Sequence, residues 1–423
     1  MKYKRFGDNR GVALPLALMA FVVLGALSAA LLAVGSSEVQ IASNHLHGTQ
    51  VFFLAEAGLE HAFNTLRTTP SYMTNANATL QNIIPTTQFG GAGSYTAQYQ
   101  KAGDYTVRVV STGVSAIGGS QAVRRAVMST FFRSNDAILT GGNMTIGGST
   151  DVLATGGTCG NVHANGNLTL NGSHVEINGN ATATGTYTAT GNPTVGSGSG
   201  GAKPGETVPH IDPADFLTAA TNLLAGHLDH LYQMTVNATN GKGEVRDGSG
   251  TLLQTLNSGD TSTCGWKYTA GSPATWEVRS GSGTPCNGTF YFEGNATVSS
   301  SPGSDDNLWK TTLIATGDVK ITGNPVIGAD ATYTVHDSLF IAGRDVKIQG
   351  TPSNGYNGLI AAHEQFDLSG NGTITGLIIS ENAPDTPGSL VSANTVNGNI
   401  TLTYNCGSTP PLQGPLQFLS WGL

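Results

Sequence analysis

An α+β N-terminal module followed by a mainly β domain is the fold class this sequence predicts, on three observations. A helical run extends over residues 12–67, apolar all round in its first half and amphipathic in its second. Residues 94–133 then alternate polar and apolar in the manner of strands. From about residue 135 onward a short motif recurs: Gly, a polar residue, then three alternating positions with apolar ends.

At 423 residues the chain has room for two or three domains. Only 11% of residues are charged and 58 are Gly, with no Gly-X-Y period, so neither collagen nor a highly charged disordered chain fits. Gly, Asn and Thr in such numbers favour short strands joined by tight turns. A net charge of −8 argues against a nucleic-acid partner, which calls for a basic face. The cysteines are Cys159, Cys264, Cys286 and Cys406, an even number compatible with two disulfides. Cys264 and Cys286 flank a Trp-containing segment and are the expected pair. None lies in a CxxC arrangement, so no zinc or redox role is expected.

The stretch Gly11–Val34 holds no charge and is interrupted only by Pro15, Gly25 and Ser28. About 20 apolar residues in a helix cross a bilayer core. Ahead of it stand Lys2, Lys4, Arg5 and Arg10 against Asp8 alone, which places the leader in the cytoplasm and the remainder outside. Past the apolar run, Phe52, Leu59 and Leu66 recur every seven residues. Ala55, Ala62 and Phe63 fill the same stripe, with Glu56, Glu60 and Arg67 outside it. Pro70 is the expected stop. The helix would be roughly 80 Å long at about 1.5 Å per residue.

A basic leader ending in Gly, an apolar helix and an amphipathic continuation resemble type IV pilins and pseudopilins. Within it, Ala55-Glu56-Ala57-Gly58 looks like the AEAG signature of PilX-type minor pilins. The resemblance is close over residues 1–67 and loose to about 133. It implies cleavage by prepilin peptidase between Gly11 and Val12, then N-methylation of Val12. Major pilins carry a glutamate at the position held here by Leu16. That departure implies a minor or priming subunit, whose partners are other pilins, the pilus assembly machinery and the peptidase. The expected location is the inner membrane, single-pass with a periplasmic domain, and then the pilus or cell surface. Gly25, Ala26, Ala29 and Ala30 offer a small-residue face for close helix packing.

The runs SYTAQYQ, DYTVRVVSTGV and AVRRAVMSTFF in residues 94–133 predict an antiparallel meander over the helix stripe. Tyr105, Val107 and Val109 are assigned to one face, Arg108 and Ser111 to the other. Residues 68–93 are left as a connecting loop. The recurring motif starts at 142, 166, 294, 317 and 398, with variants at 343 and 370. Between 294 and 398 the starts are spaced by 23, 26, 27 and 28 residues, and a period of about 20–30 residues predicts stacked solenoid coils. Residues 134–195 and 290–423 are therefore assigned to a β-helix or β-roll, with a β-sandwich as the competing architecture. Residues 196–289 are assigned to an insertion: a linker over 196–209, one helix over 212–233 with Leu231 on its apolar face, and a disulfide-containing segment with Trp266 and Trp276.

Catalysis on a β-helix needs converging carboxylates or basic groups on one coil face. The acids Glu293, Asp318, Asp345, Glu364 and Asp367 show no such pairing at a one-coil offset. His363-Glu364 lacks the second histidine of a zinc helix. His227 and His230, spaced for one helix face, lack a third ligand, and Asp305-Asp306 lacks the oxygen spacing of a calcium loop. No catalytic residue, metal or cofactor is expected, and the chain is not expected to be an enzyme. The expected function is a minor pilin displaying a β-rich head, with a surface ligand or polysaccharide as a further expected partner of that head. Two other readings compete: a membrane-anchored β-helix adhesin or polysaccharide-active protein, and a type II secretion pseudopilin.

Overall fold

Helix α1 spans Ala13–Thr68 in the computed structural model, 56 residues without a break. The structure describes residues 13–69, 72, 76–103, 106–116, 121–131, 134–157, 159–196, 198–280, 285–350, 355–406 and 413–422. Gly11, Val12, Pro70 and Tyr105 lie outside the described residues. The chain forms two units, Met1–Ser129 with Leu416–Leu423, and Thr130–Pro415.

In the first unit, α1 packs its second half on a sheet of five strands among the described residues, the first four of them antiparallel. Their order is Gln81–Gln88, Gly93–Gly103, Thr106–Ser115, Gln121–Phe131, Gln413–Gly422. Two of these correct the expectation. Gln81–Gln88, within the expected loop because Pro85 reads as a breaker, is a strand. It is an edge strand, where a missing N–H leaves no ladder bond unmade. Gln413–Gly422, expected in the carboxy-terminal β domain, instead closes the other edge of this sheet. Nothing local marks it, because only the distant Gln121–Phe131 edge gives it a partner.

The helix seam is Val51, Leu54, Ala55, Gly58, Leu59, Ala62 and Leu66, all buried. Phe52, expected at the centre of this stripe, lies at its border, with the Arg124 guanidinium 4.6 Å above its ring. Small residues occupy the centre because the backbones approach closely there. A side chain at Gly58 would overlap the Ser111 hydroxyl, and one at Gly113 would meet the Ala55 amide nitrogen at 2.6 Å. Ser111 therefore lies on the buried face with Val107 and Val109, opposite to its assigned side. Pleat parity requires this, since 107, 109 and 111 differ by two. Its hydroxyl donates to the Thr96 carbonyl at 3.2 Å.

The second unit is built on two large sheets whose core strands pair in parallel. Their chain order is discontinuous. Strand Asp136–Thr140 enters in the middle, between Asn161–Ala164 on one side and Ile378–Ser380 on the other. Met144–Ile146 likewise lies between Leu168–Leu170 and Asn394–Asn405. One arm runs outward from residue 136 to Gly198–Gly200. The chain then passes through helix α2, Pro213–Leu223, to the opposite end and returns layer by layer to residue 405. Apolar side chains at alternate positions point into the layers, as in Val319/Ile321 and Val346/Ile348. Strands Ser338–Ala342 and Leu359–Ala362 are buried on both faces. Each buried Ile or Leu contributes about 1.5–3 kcal/mol.

Two corner devices explain the recurring motif. At the first, a side-chain oxygen of one layer accepts the main-chain N–H of the next. Asn143 caps Asn167 (2.8 Å), Asn167 caps Thr186 (2.8 Å), Asn295 caps Asp318 (2.9 Å) and Asp345 caps Gln365 (3.1 Å). At the second, glycines stack. A side chain at Gly148 would meet the Gly398 nitrogen at 2.7 Å, and one at Gly370 would meet the Gly350 carbonyl at 2.7 Å. Gly148, Gly370 and Gly398 also have positive φ. The motif copies at 370 and 398 belong to this second corner. The strand segments equivalent to Val346–Ile348 in those layers are 366–368 and 394–396. The seven starts therefore fall on two corners, where a single column was expected.

The segment assigned as an insertion supplies layers to the stack. Leu231–Val236 pairs in parallel with Gly288–Phe292, and Thr275–Val278 with Asn295–Val298. Helix α2 begins as expected, with Asp212 accepting from the Ala214 N–H at 2.9 Å, but ends at Leu223. Leu231, assigned to its apolar face, is instead in a strand, where it gains ladder bonds that helix continuation past Gly226 would forgo. Trp266 and Trp276 are fully buried among Phe290, Phe292 and Tyr268. Cys264–Cys286 and Cys159–Cys406 are disulfide-bonded. The second bond joins the outward arm to the last returning strand.

Candidate functional site

Among the described residues of the first unit, the amino-terminal half of α1 presents an unpartnered apolar surface. Leu14, Leu16, Phe21, Leu24, Leu27 and Leu31 are all exposed. The helix is long and apolar enough to cross a membrane. Gly25 meets nothing within 4 Å, and Ala26, Ala29 and Ala30 are exposed beside it at one- and four-residue spacing. A contiguous apolar stripe of this extent calls for lipid or other helices around it. Leu16 is 64% exposed and lies within this apolar surface.

The Ala55–Gly58 motif does different work from this stripe. Ala55 and Gly58 are buried at the helix–sheet seam, whereas Glu56 and Ala57 are half-buried at its rim. Sequence reasoning found the motif but missed its complements, Ser111 and Gly113, which are distant in the chain. Beside the seam, His61 Nδ1 lies 3.2 Å from the Tyr95 hydroxyl.

In the second unit, the acids singled out earlier are drawn together more than expected. Asp318 and Asp345 stand one layer apart at the same corner, and Asp318 Oδ1 accepts the Asp345 N–H at 3.3 Å. Arg344 Nε lies 3.8 Å from both Asp318 and Glu364. Their alignment was hidden because successive layers differ in length. All three acids are buried and bind main-chain groups: Asp345 Oδ2 accepts from Leu390 and Val391, and Glu364 Oε1 from Thr386. Burial pushes the Asp318 carboxyl up to about 6, against the opposing pull of Arg344. Glu293 accepts the Val236 N–H at 2.7 Å, and Asp367 pairs with Lys347 at 2.7 Å.

The stretch 196–209, expected to be a linker, instead contains strand Gly198–Gly200 and is pinned to the outward arm. Asn165 and Glu206 exchange two hydrogen bonds of 2.7 Å through the Glu206 main chain. Buried Asp136 is held well above the usual carboxylate range, by burial first and then by its hydrogen bond to the Glu206 carboxyl. His227 and His230 are not on one helix: the short turn Leu228–His230 separates α2 from the next strand. Their rings stack at 6.3 Å, and His230 also lies 4.5 Å from the Tyr333 ring. His363 faces away from a pairing with Glu364. It meets Glu381 and His210 instead, two residues that sequence reasoning did not single out.

No protein-family model matches this chain, and no curated protein matches it. Among solved structures it is similar to the crystal structure of competence-associated pilin ComZ from Thermus thermophilus. That similarity has 15% identity over 88% of this chain and 96% of the other, with a TM-score of 0.30.

Proposed function

We propose that this chain is a minor pilin, a structural subunit incorporated in or priming a type IV pilus or related filament. One observation carries the proposal: α1 runs unbroken from an exposed apolar half into a half seated on an antiparallel sheet. The first half would lie in the inner membrane before assembly and among neighbouring pilin helices afterwards. Gly25, Ala26, Ala29 and Ala30 would form the close-packed contact. Leu16 favours a minor over a bulk subunit. Parallel pairing, interior apolar alternation and the two corner columns support reading the second unit as a β-helix displayed by the filament. The chain's action would be assembly, with no bond made or broken by it.

Prepilin peptidase would cut between Gly11 and Val12 and leave Val12 N-methylated. Intact-mass and amino-terminal peptide spectrometry on the membrane fraction of peptidase-positive cells tests this. The expected mature chain begins at methylated Val12; a chain beginning at Met1 would contradict the assignment.

A further inference from the structure

Three ligand-type side chains converge on the second unit in a way that its fold enforces. Ala362 and Ser380 are register partners in adjacent parallel strands. The residues that follow them, His363 and Glu381, are therefore set side by side at the same corner. Their main-chain N–H groups bond to Ala342 and Ala362 at 3.0 Å each, so both are carried by the layer ladder. The neighbouring layers place Gly343 and Gly141 at the corresponding positions, so no other side chain of this column stands beside the pair. His210 arrives from the segment leading into α2, anchored by Ile211, which is 1% exposed.

His363 Nδ1 lies 2.6 Å from Glu381 Oε2, and His210 Nδ1 lies 3.0 Å from both carboxylate oxygens. The ligand atoms of all three residues lie within 4.8 Å of one another. The Ile211 N–H donates to Glu381 Oε2 at 3.1 Å and so orients the carboxylate. We propose that His210, His363 and Glu381 form a binding site for a divalent transition-metal ion of borderline softness, such as Zn2+.

The donor set is chemically suited to that class. Two imidazole nitrogens and one carboxylate oxygen bind Zn2+ at about 2.0–2.2 Å, with a fourth position left to water or a partner group. Tetrahedral ligand atoms at those distances stand about 3.3 Å apart, against 2.6 and 3.0 Å for the two imidazole–carboxylate separations here. The Ile211 N–H supplies the outer hydrogen bond that ligating carboxylates commonly carry. Hard cations such as Ca2+ and Mg2+ want six or more oxygens, and this cluster offers one carboxylate. His210 is 66% exposed on its side chain, which gives an ion direct entry. A bound ion would clamp the segment before α2 to the returning layers.

The test uses the full-length, untagged chain in detergent, stripped with chelator and titrated with Zn2+ against a chromophoric competitor. Co2+ titration followed by its visible absorbance reports the ligand set. One equivalent should bind, and His210→Ala and His363→Ala should each weaken it at least tenfold. His174→Ala should leave it unchanged; that residue belongs to a separate group with Asp151 and Glu176. Equal melting temperatures of the metal-free variants and native chain confirm that folding is intact. His210 is exposed, so its variant decides should His363→Ala fail to fold. Absence of a bound equivalent, its persistence in His210→Ala, or its loss in His174→Ala would overturn the proposal.

Discussion

Asn394 donates from its side-chain amide to the main-chain carbonyl of Asn143 at 3.1 Å, across 251 residues of chain. This bond joins the last returning layer to the first outgoing one. The same side chain donates to Asn382 Oδ1 at 2.9 Å and accepts the Phe366 N–H at 3.2 Å. Asn394 is 1% exposed, so water does not replace those bonds when they are lost. Replacing it by Ala should lower stability by about 1–3 kcal/mol, the usual cost of stranding buried polar groups. Urea unfolding followed by Trp fluorescence measures it, because Trp266, Trp276 and Trp309 are all buried in this unit.

The two disulfides should contribute unequally. Cys264–Cys286 closes 22 residues of sequence and Cys159–Cys406 closes 247. In the chain-entropy account a loop of about 15 residues gives about 3 kcal/mol and one of about 100 residues about 4.7. The Cys159→Ala/Cys406→Ala double variant should therefore lose more stability than Cys264→Ala/Cys286→Ala. Thermal melts of both under oxidising conditions compare them directly.

Gly58 should tolerate no branched side chain. Gly58→Val would drive its Cβ into Ser111 and toward the Tyr95 ring, and should cost about 1–3 kcal/mol as an overpacked contact. Pairing Gly58→Ala with Ser111→Gly should recover near-native stability, since the hydroxyl that meets the new Cβ is then gone. Limited proteolysis of the first unit distinguishes the two variants.

Much of this architecture was legible in the sequence, and the failures share a cause. Long-range local pattern sufficed for α1, because apolar and amphipathic periodicity extend over many turns. It also sufficed for the three central strands of the first sheet. The Gln81–Gln88 and Gln413–Gly422 strands were missed because edge pairing, not pattern, makes them strands. The Gly-led motif pointed to layered strands, but the second corner column at Gly370 and Gly398 was read together with the first. His363, Glu381 and His210 come together only through strand register and the return of a distant segment. Register is a property of pairing, so no single stretch of sequence displays it.

Burial raises the Asp318 carboxyl to about 6 from its ordinary 3.8, so the folded chain holds that proton more tightly than the unfolded chain. The stability this gives is complete below about pH 4 and is lost as pH rises through about 6. Asp318→Asn keeps an acceptor for the Asp345 N–H and removes the titration. The melting temperature of the native chain should thus fall relative to Asp318→Asn between pH 4 and 7. A difference that stays constant over that range would contradict the burial of a titrating group there.

The central claim is that α1 packs among other pilin helices in a filament. Immunogold labelling and immunoblotting of fibres sheared from the cell surface test it most directly. The chain should appear in the sheared-fibre fraction, and Gly25→Leu or Ala29→Leu should deplete it there while leaving the membrane pool intact. A native chain found solely with the cells, or normal incorporation of both variants, would contradict the account.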